Sequence, residues 1–589
     1  MSEGQTVEGG RWTVADGRST VDGGRWTLPA VRVRRLFASI LPHLLLIAAL
    51  LPSTVHRLPS QQTRAERSAY KETSTYADVV AFIDSLQAKG APIVVGSIGQ
   101  TTQGRDLPYI IASRPLVHSP AEARRLGRPI VYVQGNIHAG EVEGKEALQA
   151  LVRDLVFAPK KNVLDSIVLI AVPIYNADGN EVFAPTARQR GAQNGPELVG
   201  QRPNAKMLDL NRDYVKAEAP ETRASLRMFN AWDPDLFVDL HTTDGSYHGY
   251  ALTYSPSLHP AAGIRGGTFG GAFVRDSMLP VLRKRLRARH HYEIFDYGNF
   301  TGDEGPAAPG EAKAWSTYDH RGRYGTNYYA LRGRLSILSE AYSHDPFERR
   351  VKSTYAFVTE ILSLTAEKSR AVLALSRASD AALSAGKVAA VPVRAELTRK
   401  PLMLDVIEEP LVKSDTPSTE PGVRRGYVRS GKFITTRMPV RDRFDATRTA
   451  PMPWGWLVLP SAADTVGVML RLHGVRVTRT TATAAVPGVE CFAADSIVAS
   501  SRPFQGHRET RFEGRWVPSA ADVPAGTLIV PARQPLGVLA ELLLDPDSDD
   551  GFGTWNLFDA AIARPTAQGG GVPVCRLTKA PAVPDRLLP

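Results

Sequence analysis

Pro129-Ile130-Val131-Tyr132-Val133, followed after a short turn by Ile137-His138-Ala139-Gly140-Glu141, is the stretch that decides the fold. The first five residues are an aliphatic and aromatic run of the kind that forms a buried strand. It delivers an imidazole and a carboxylate, three residues apart, to its own carboxyl end. In open α/β sheets that end is where ligands bind. At the start of a helix, His138 and Glu141 can point the same way, and both side chains ligate zinc. The pair takes its meaning from what lies further along the chain.

Strands and helices alternate around this stretch. Val79, Val80, Phe82, Ile83 and Leu86 follow helical spacing over 76–89. Strand-like runs occupy 92–98, 107–112, 129–133, 167–174, 236–240 and 335–338, and Gln103-Gly104-Arg105-Asp106 supplies a turn. Helical segments at 144–156, 219–231 and 351–366 interleave with them. This order predicts an α/β domain over 68–376, with helices on the faces of a sheet. After a linker at 377–400 the texture changes. Short β-type runs at 455–459, 466–472, 475–480 and 527–530 predict a β-rich domain over 401–589. Its acidic cluster, Asp545, Asp547, Asp549 and Asp550, lacks the glycine and distal glutamate of a calcium-binding EF-hand and reads as a solvated loop. Trp454, Trp456, Trp516 and Trp555 read as core packing.

With 589 residues, the chain is long enough for two to four domains. Apolar residues make up 43% and charged residues 22%, the balance of a globular protein. The net charge of +11 comes from scattered arginines, without a compact basic helix or zinc-finger spacing, so no nucleic-acid partner is predicted. Cys491 and Cys575 are too few for a cysteine-rich metal site. They form either one disulfide in an exported protein or two buried thiols.

The first 54 residues read as an extension carrying a signal or anchor. Arg32-Val33-Arg34-Arg35 precedes an apolar run at 36–51, the order of a secretory signal. That run is shorter than the roughly 20 residues of a membrane span, and Pro42 interrupts it. Export is therefore predicted, with membrane attachment only if the segment is uncleaved. The segment Thr6-Val7-Glu8-Gly9-Gly10-Arg11-Trp12-Thr13 recurs almost unchanged at 20–27, which points to a true start near Val31. Residues 55–67 read as a polar linker.

Five further residues complete the chemistry. The run 236–240 ends at His241, so two histidines and a glutamate can hold zinc and leave one tetrahedral position for water. The run 335–338 leads to Glu340, a carboxylate at a strand end suited to act as general base. Between Glu141 and His241, Asn211 and Arg212 offer an amide and a planar fork for a carboxylate, and Asp209 can accept the outer N–H of a ligand histidine.

Taken in order, His-x-x-Glu, Asn-x-Asp-Gly at 176–179, Asp-x-Asn-Arg at 209–212, the strand-end His241 and the strand-end Glu340 resemble the zinc carboxypeptidase family (carboxypeptidase A/B-like metallopeptidases) over about residues 70–365. The resemblance implies a mixed central sheet with helices on both faces. It implies one zinc held by His138, Glu141 and His241, a peptide substrate with a free C-terminus gripped by Asn211 and Arg212, and Glu340 as base and then acid. It also implies an oxyanion-stabilising arginine, Arg190 in preference to Arg188, and a mobile tyrosine over the substrate. Tyr318 has the family spacing for that tyrosine, with Tyr324, Tyr328 and Tyr329 as alternatives. Two departures stand out: Gly140 where digestive members carry arginine, and Ala177 where proline is commoner. The alternatives are a zinc-dependent deacylase or amidase acting on acyl-amino acids or cell-wall peptides, and a non-catalytic cell-surface binding protein.

Overall fold

Runs dominated by aliphatic residues are satisfied as strands buried on both faces, and five such runs form the middle of an eight-stranded sheet. In the computed structural model, residues 61–588 are described apart from 244, 264–269, 302–312, 417, 419–422, 424 and 563–570. The predicted signal segment, the repeat and the proposed start site lie outside the described residues.

The sheet contains β1 (Ile93–Gln100), β2 (Asp106–Ala112), β3 (Ile130–Gly135), β4 (Val168–Val172), β5 (Leu236–Thr242), β6 (Leu252–Pro256), β7 (Ile294–Asp296) and β8 (Leu335–Ala341). Their spatial order is β1-β2-β4-β3-β5-β8-β6-β7. The β4-β3-β5-β8 core is parallel, while β1 and β2 at one edge and β6 beside β8 run antiparallel to their neighbours. The sheet is mixed, as the resemblance implied. Sequence reading missed β6 and β7, because Leu252-Thr253-Tyr254-Ser255-Pro256 is too polar and Ile294–Asp296 too short to stand out as buried runs.

Helices cover both faces. On one, α1 (Tyr76–Ala88), α2 (Glu143–Val156) and α5 (Phe347–Glu367) pack together. The approach of α2 to the sheet is unusually close: a Cβ at Gly144 would lie 2.5 Å from Leu240 Cβ, so only glycine fits there. On the other face lie α3 (Pro220–Trp232) and α4 (Gly325–Leu331), where Tyr329 stacks on Phe229 with ring centres 3.8 Å apart. The helix α6 (Ser369–Ser384) leads out of this region.

Residues beyond 400 are rich in β-structure. Seven strands form one sheet in the order 510–518, 489–499, 574–577, 455–458, 528–531, 478–480 and 585–587. A four-stranded sheet joins Asn299–Phe300 and Trp315–Ser316 to Ile434–Arg441 and Leu402–Glu408. One apolar core continues from the α/β sheet into this part, reaching Trp456, Leu528 and Val574. Cys491 and Cys575 are joined in a disulfide.

Two expectations fail here. Residues 466–472 are not a strand but belong to the helix Pro460–Leu472. Its buried positions Ala462, Ala463, Val466, Met469 and Leu470 follow a helical stripe, which the aliphatic run at its end had hidden. The acidic cluster is not a solvated loop either. Asp545, Asp547 and Asp550 are buried. Asp550 accepts the Arg323 backbone N–H, Nε and Nη2, and Asp549 lies 2.9 Å from His320 Nε2. These carboxylates fasten the C-terminal part to the loop at 319–325.

Candidate metal and substrate site

The site lies where β3, β5 and β8 end. Because adjacent positions in a register share a face, His241 on β5, Glu340 on β8 and Thr253 on β6 form one row across the sheet. The row beneath it is Gln134, Asp239, Leu338 and Ser255. After β3 the chain turns at Asn136, whose φ of 65° is left-handed. The turn presents His138 and Glu141 just ahead of α2 rather than within its first turn, with Glu141 N–H donating to His138 O.

His138, Glu141 and His241 are each 3% exposed. One nitrogen from each imidazole and one carboxylate oxygen all lie within 4.8 Å of one another. Among the described residues this is the one such cluster of histidine and acidic groups. The Glu141 oxygens sit 3.0 Å from His138 Nδ1 and 3.0 Å from His241 Nδ1. Burial alone would raise the Glu141 carboxyl, but His138 and Arg190 hold it well below the usual carboxylate range. Each imidazole has a carboxylate behind it: His138 Nε2 is 3.0 Å from Asp209 Oδ1, and His241 Nε2 is 3.1 Å from Asp239 Oδ2. Two imidazoles with oriented outer nitrogens and one carboxylate are a donor set that fits zinc.

Around the triad stand the remaining candidates. Glu340 is 9% exposed. Asn211 and Arg212 occupy a short turn, Leu210–Arg212. Asn211 Oδ1 accepts the Gly325 N–H at 2.9 Å, and half-buried Arg212 lies 4.1 Å above the Tyr324 ring. Tyr318 packs edge-on against Tyr324, with its phenol oxygen buried. Burial, followed by the charges nearby, raises the Tyr318 phenol above its ordinary value. Tyr328 and Tyr329 lie in the core.

The two arginines singled out from sequence separate sharply. Arg188 is exposed. Arg190 is buried and fully engaged: Nη1 to Glu141 at 3.0 Å, Nη2 to the carbonyls of Thr242 and Thr243, and Nε to Gln193. Its stem also fills the space beside Gly140, where a Cβ would meet Arg190 Cγ at 2.8 Å. A third guanidinium, Arg202, escaped sequence reading. Its Nη1 lies 3.3 Å from Glu141 Oε1, its Nε donates to Asp209 Oδ2 at 3.0 Å, and its side chain is 34% exposed. Its place in the loop entering the Asp209–Arg212 turn was the available signal. Asp239 was also missed, although Asp-x-His on a strand puts both side chains on one face.

The sequence pattern described as zinc carboxypeptidase matches residues 79–334. Carboxypeptidase 2 of Trichophyton equinum is 22% identical over 491 residues, 81% of each chain. Carboxypeptidase Z of Mus musculus is 32% identical over 148 residues, 24% of this chain and 21% of that one. The crystal structure of carboxypeptidase A from Helicoverpa armigera superposes with a TM-score of 0.35 at 15% identity, covering 56% of this chain and 78% of the other. The stretch that matches the zinc carboxypeptidase pattern, residues 79–334, encloses the His138–Glu141–His241 ligand set, and supports a domain of that family there.

Proposed function

We propose that the protein is a zinc metallocarboxypeptidase that removes residues from the free C-terminus of peptides. The observation that carries this reading is the close-set triad His138–Glu141–His241 with Glu340 as its register neighbour. Zinc held by the triad would supply Lewis-acid polarisation and a lowered pKa for water at the site.

The chain's own residues do the rest. Asn211 and Arg212 hold the terminal carboxylate, with Arg212 stiffened by its stack on Tyr324. Glu340 takes the proton of the attacking water and returns it to the leaving amine. Oxyanion stabilisation passes from Arg190 to Arg202 in this reading. Arg190 spends its donors on Glu141 and two backbone carbonyls, whereas Arg202, also beside Glu141, keeps a third of its side chain exposed. Tyr318, beside Tyr324, forms the cover on the substrate side chain. Export belongs to the same reading, supported by the basic-then-apolar order of residues 32–51 and by the paired cysteines. Among the described residues no helix is long and apolar enough to cross a membrane.

Glu340→Gln tests the proposal: zinc content should stay at wild-type level while turnover of a peptide substrate falls by about 10²–10⁴-fold. A variant that keeps its rate would remove Glu340 from the mechanism.

A further inference from the structure

The strands β9 (Val489–Ala499) and β10 (Thr510–Pro518) pair as a long hairpin in the C-terminal part of the chain. Its tip reaches back nearly 300 residues in sequence to the loop that carries Asp209. Gln505, in a left-handed conformation with φ 50°, accepts the Asp209 backbone N–H on Oε1 at 2.8 Å. A buried backbone N–H needs an acceptor, and here the acceptor comes from the far end of the chain.

Asp209 is the hub of the metal site's outer layer. Its Oδ1 sits 3.0 Å from His138 Nε2 and accepts the Asn211 N–H at 2.9 Å, and its Oδ2 takes Arg202. The hairpin tip is pinned on both sides of Gln505. His507 Nε2 lies 2.9 Å from Glu218, in the loop just past Arg212. Phe504 packs 5.6 Å from the Arg323 guanidinium, one residue before Tyr324. These contacts come from the C-terminal part and land on the loops that carry the carboxylate fork.

We infer that the hairpin tip Phe504–His507 is part of the active site, and that Gln505 is a positioning residue that sets Asp209 and, through it, His138 and Arg202. This gives the C-terminal β-rich part a direct role in building the site. The inference rests on the zinc reading above. A carboxylate that orients a ligand histidine commonly controls metal affinity by ten- to a hundred-fold, so loss of the contact that fixes that carboxylate should cost about three- to ten-fold.

The test is zinc affinity of the full-length apo protein, measured by competition with a chromophoric chelator, for wild type, Gln505→Ala and Arg508→Ala. Arg508 is exposed on the same tip and its guanidinium donates to the local carbonyls of Ser500 and Ser501, so its loss perturbs the hairpin without touching Asp209. Gln505→Ala should bind zinc about three- to ten-fold more weakly, with Arg508→Ala at wild-type affinity. Equal affinity of Gln505→Ala and wild type would overturn the inference alone, as would an Arg508→Ala loss matching that of Gln505→Ala. A wild-type protein that takes up no zinc would overturn this inference together with the metallopeptidase reading.

Discussion

Asp239 stands two residues before His241 on the same strand, and its Oδ2 lies 3.1 Å from His241 Nε2. Asp239 is fully buried, and Gln134 Nε2 donates to its other oxygen at 3.1 Å. As with Asp209 behind His138, a carboxylate stands close behind this candidate ligand imidazole. Asp239→Asn should keep the fold and weaken zinc binding by about 10–100-fold. Equilibrium dialysis against buffered zinc reads this out, and unchanged affinity would reduce Asp239 to packing.

Arg202 and Arg190 approach the same carboxylate, Glu141, from different environments, and their loss should read differently. Arg202→Ala should leave zinc bound and lower kcat by about 10²–10³-fold, the effect of one lost oxyanion donor. Arg190→Ala should instead lower melting temperature and zinc content together, because it removes one buried donor from Glu141 and from two backbone carbonyls. Side-by-side kinetics, metal analysis and thermal melts separate the two. The reverse assignment would appear as a purely kinetic defect in Arg190→Ala.

Asp296, at the end of β7, gives a pH signature. Burial first, and then the neighbouring Asp442, push its carboxyl up to about 6 despite Arg283 and Arg275. The unfolded chain releases the same proton near pH 3.9. Between these values the folded state holds a proton that the unfolded state has lost, so stability falls as pH rises through this window. Asp296→Asn removes the penalty. Its melting temperature should exceed wild type at about pH 7.5 and converge with it near pH 4. A gain of equal size at both pH values would contradict the shift.

Much of the site was legible because its residues sit at the ends of conspicuous strands. His138, His241 and Glu340 each follow an aliphatic run, and a strand end in an α/β sheet marks where to look. Arg202, Asp239 and Gln505 left no such mark. Arg202 acts through a loop that folds back over Glu141, and Gln505 meets Asp209 across almost 300 residues, neither of which has a periodic signature. The same limit explains the acidic cluster at 545–550: its carboxylates look solvated until Arg323, Arg448 and His320 arrive from elsewhere. The helix at 460–472 failed for a different reason, since its β-branched and aliphatic end imitates a strand while its stripe is helical.

In the proposed mechanism Asn211 and Arg212 hold a free terminal carboxylate while Glu340 moves the proton. Two otherwise identical peptides, one ending in a free acid and one in an amide, test it most directly when incubated with the zinc-loaded protein and followed by mass spectrometry. The free acid should shorten stepwise from its C-terminus while the amide stays intact. Equal cleavage of both peptides, or cleavage at an internal bond, would contradict the account.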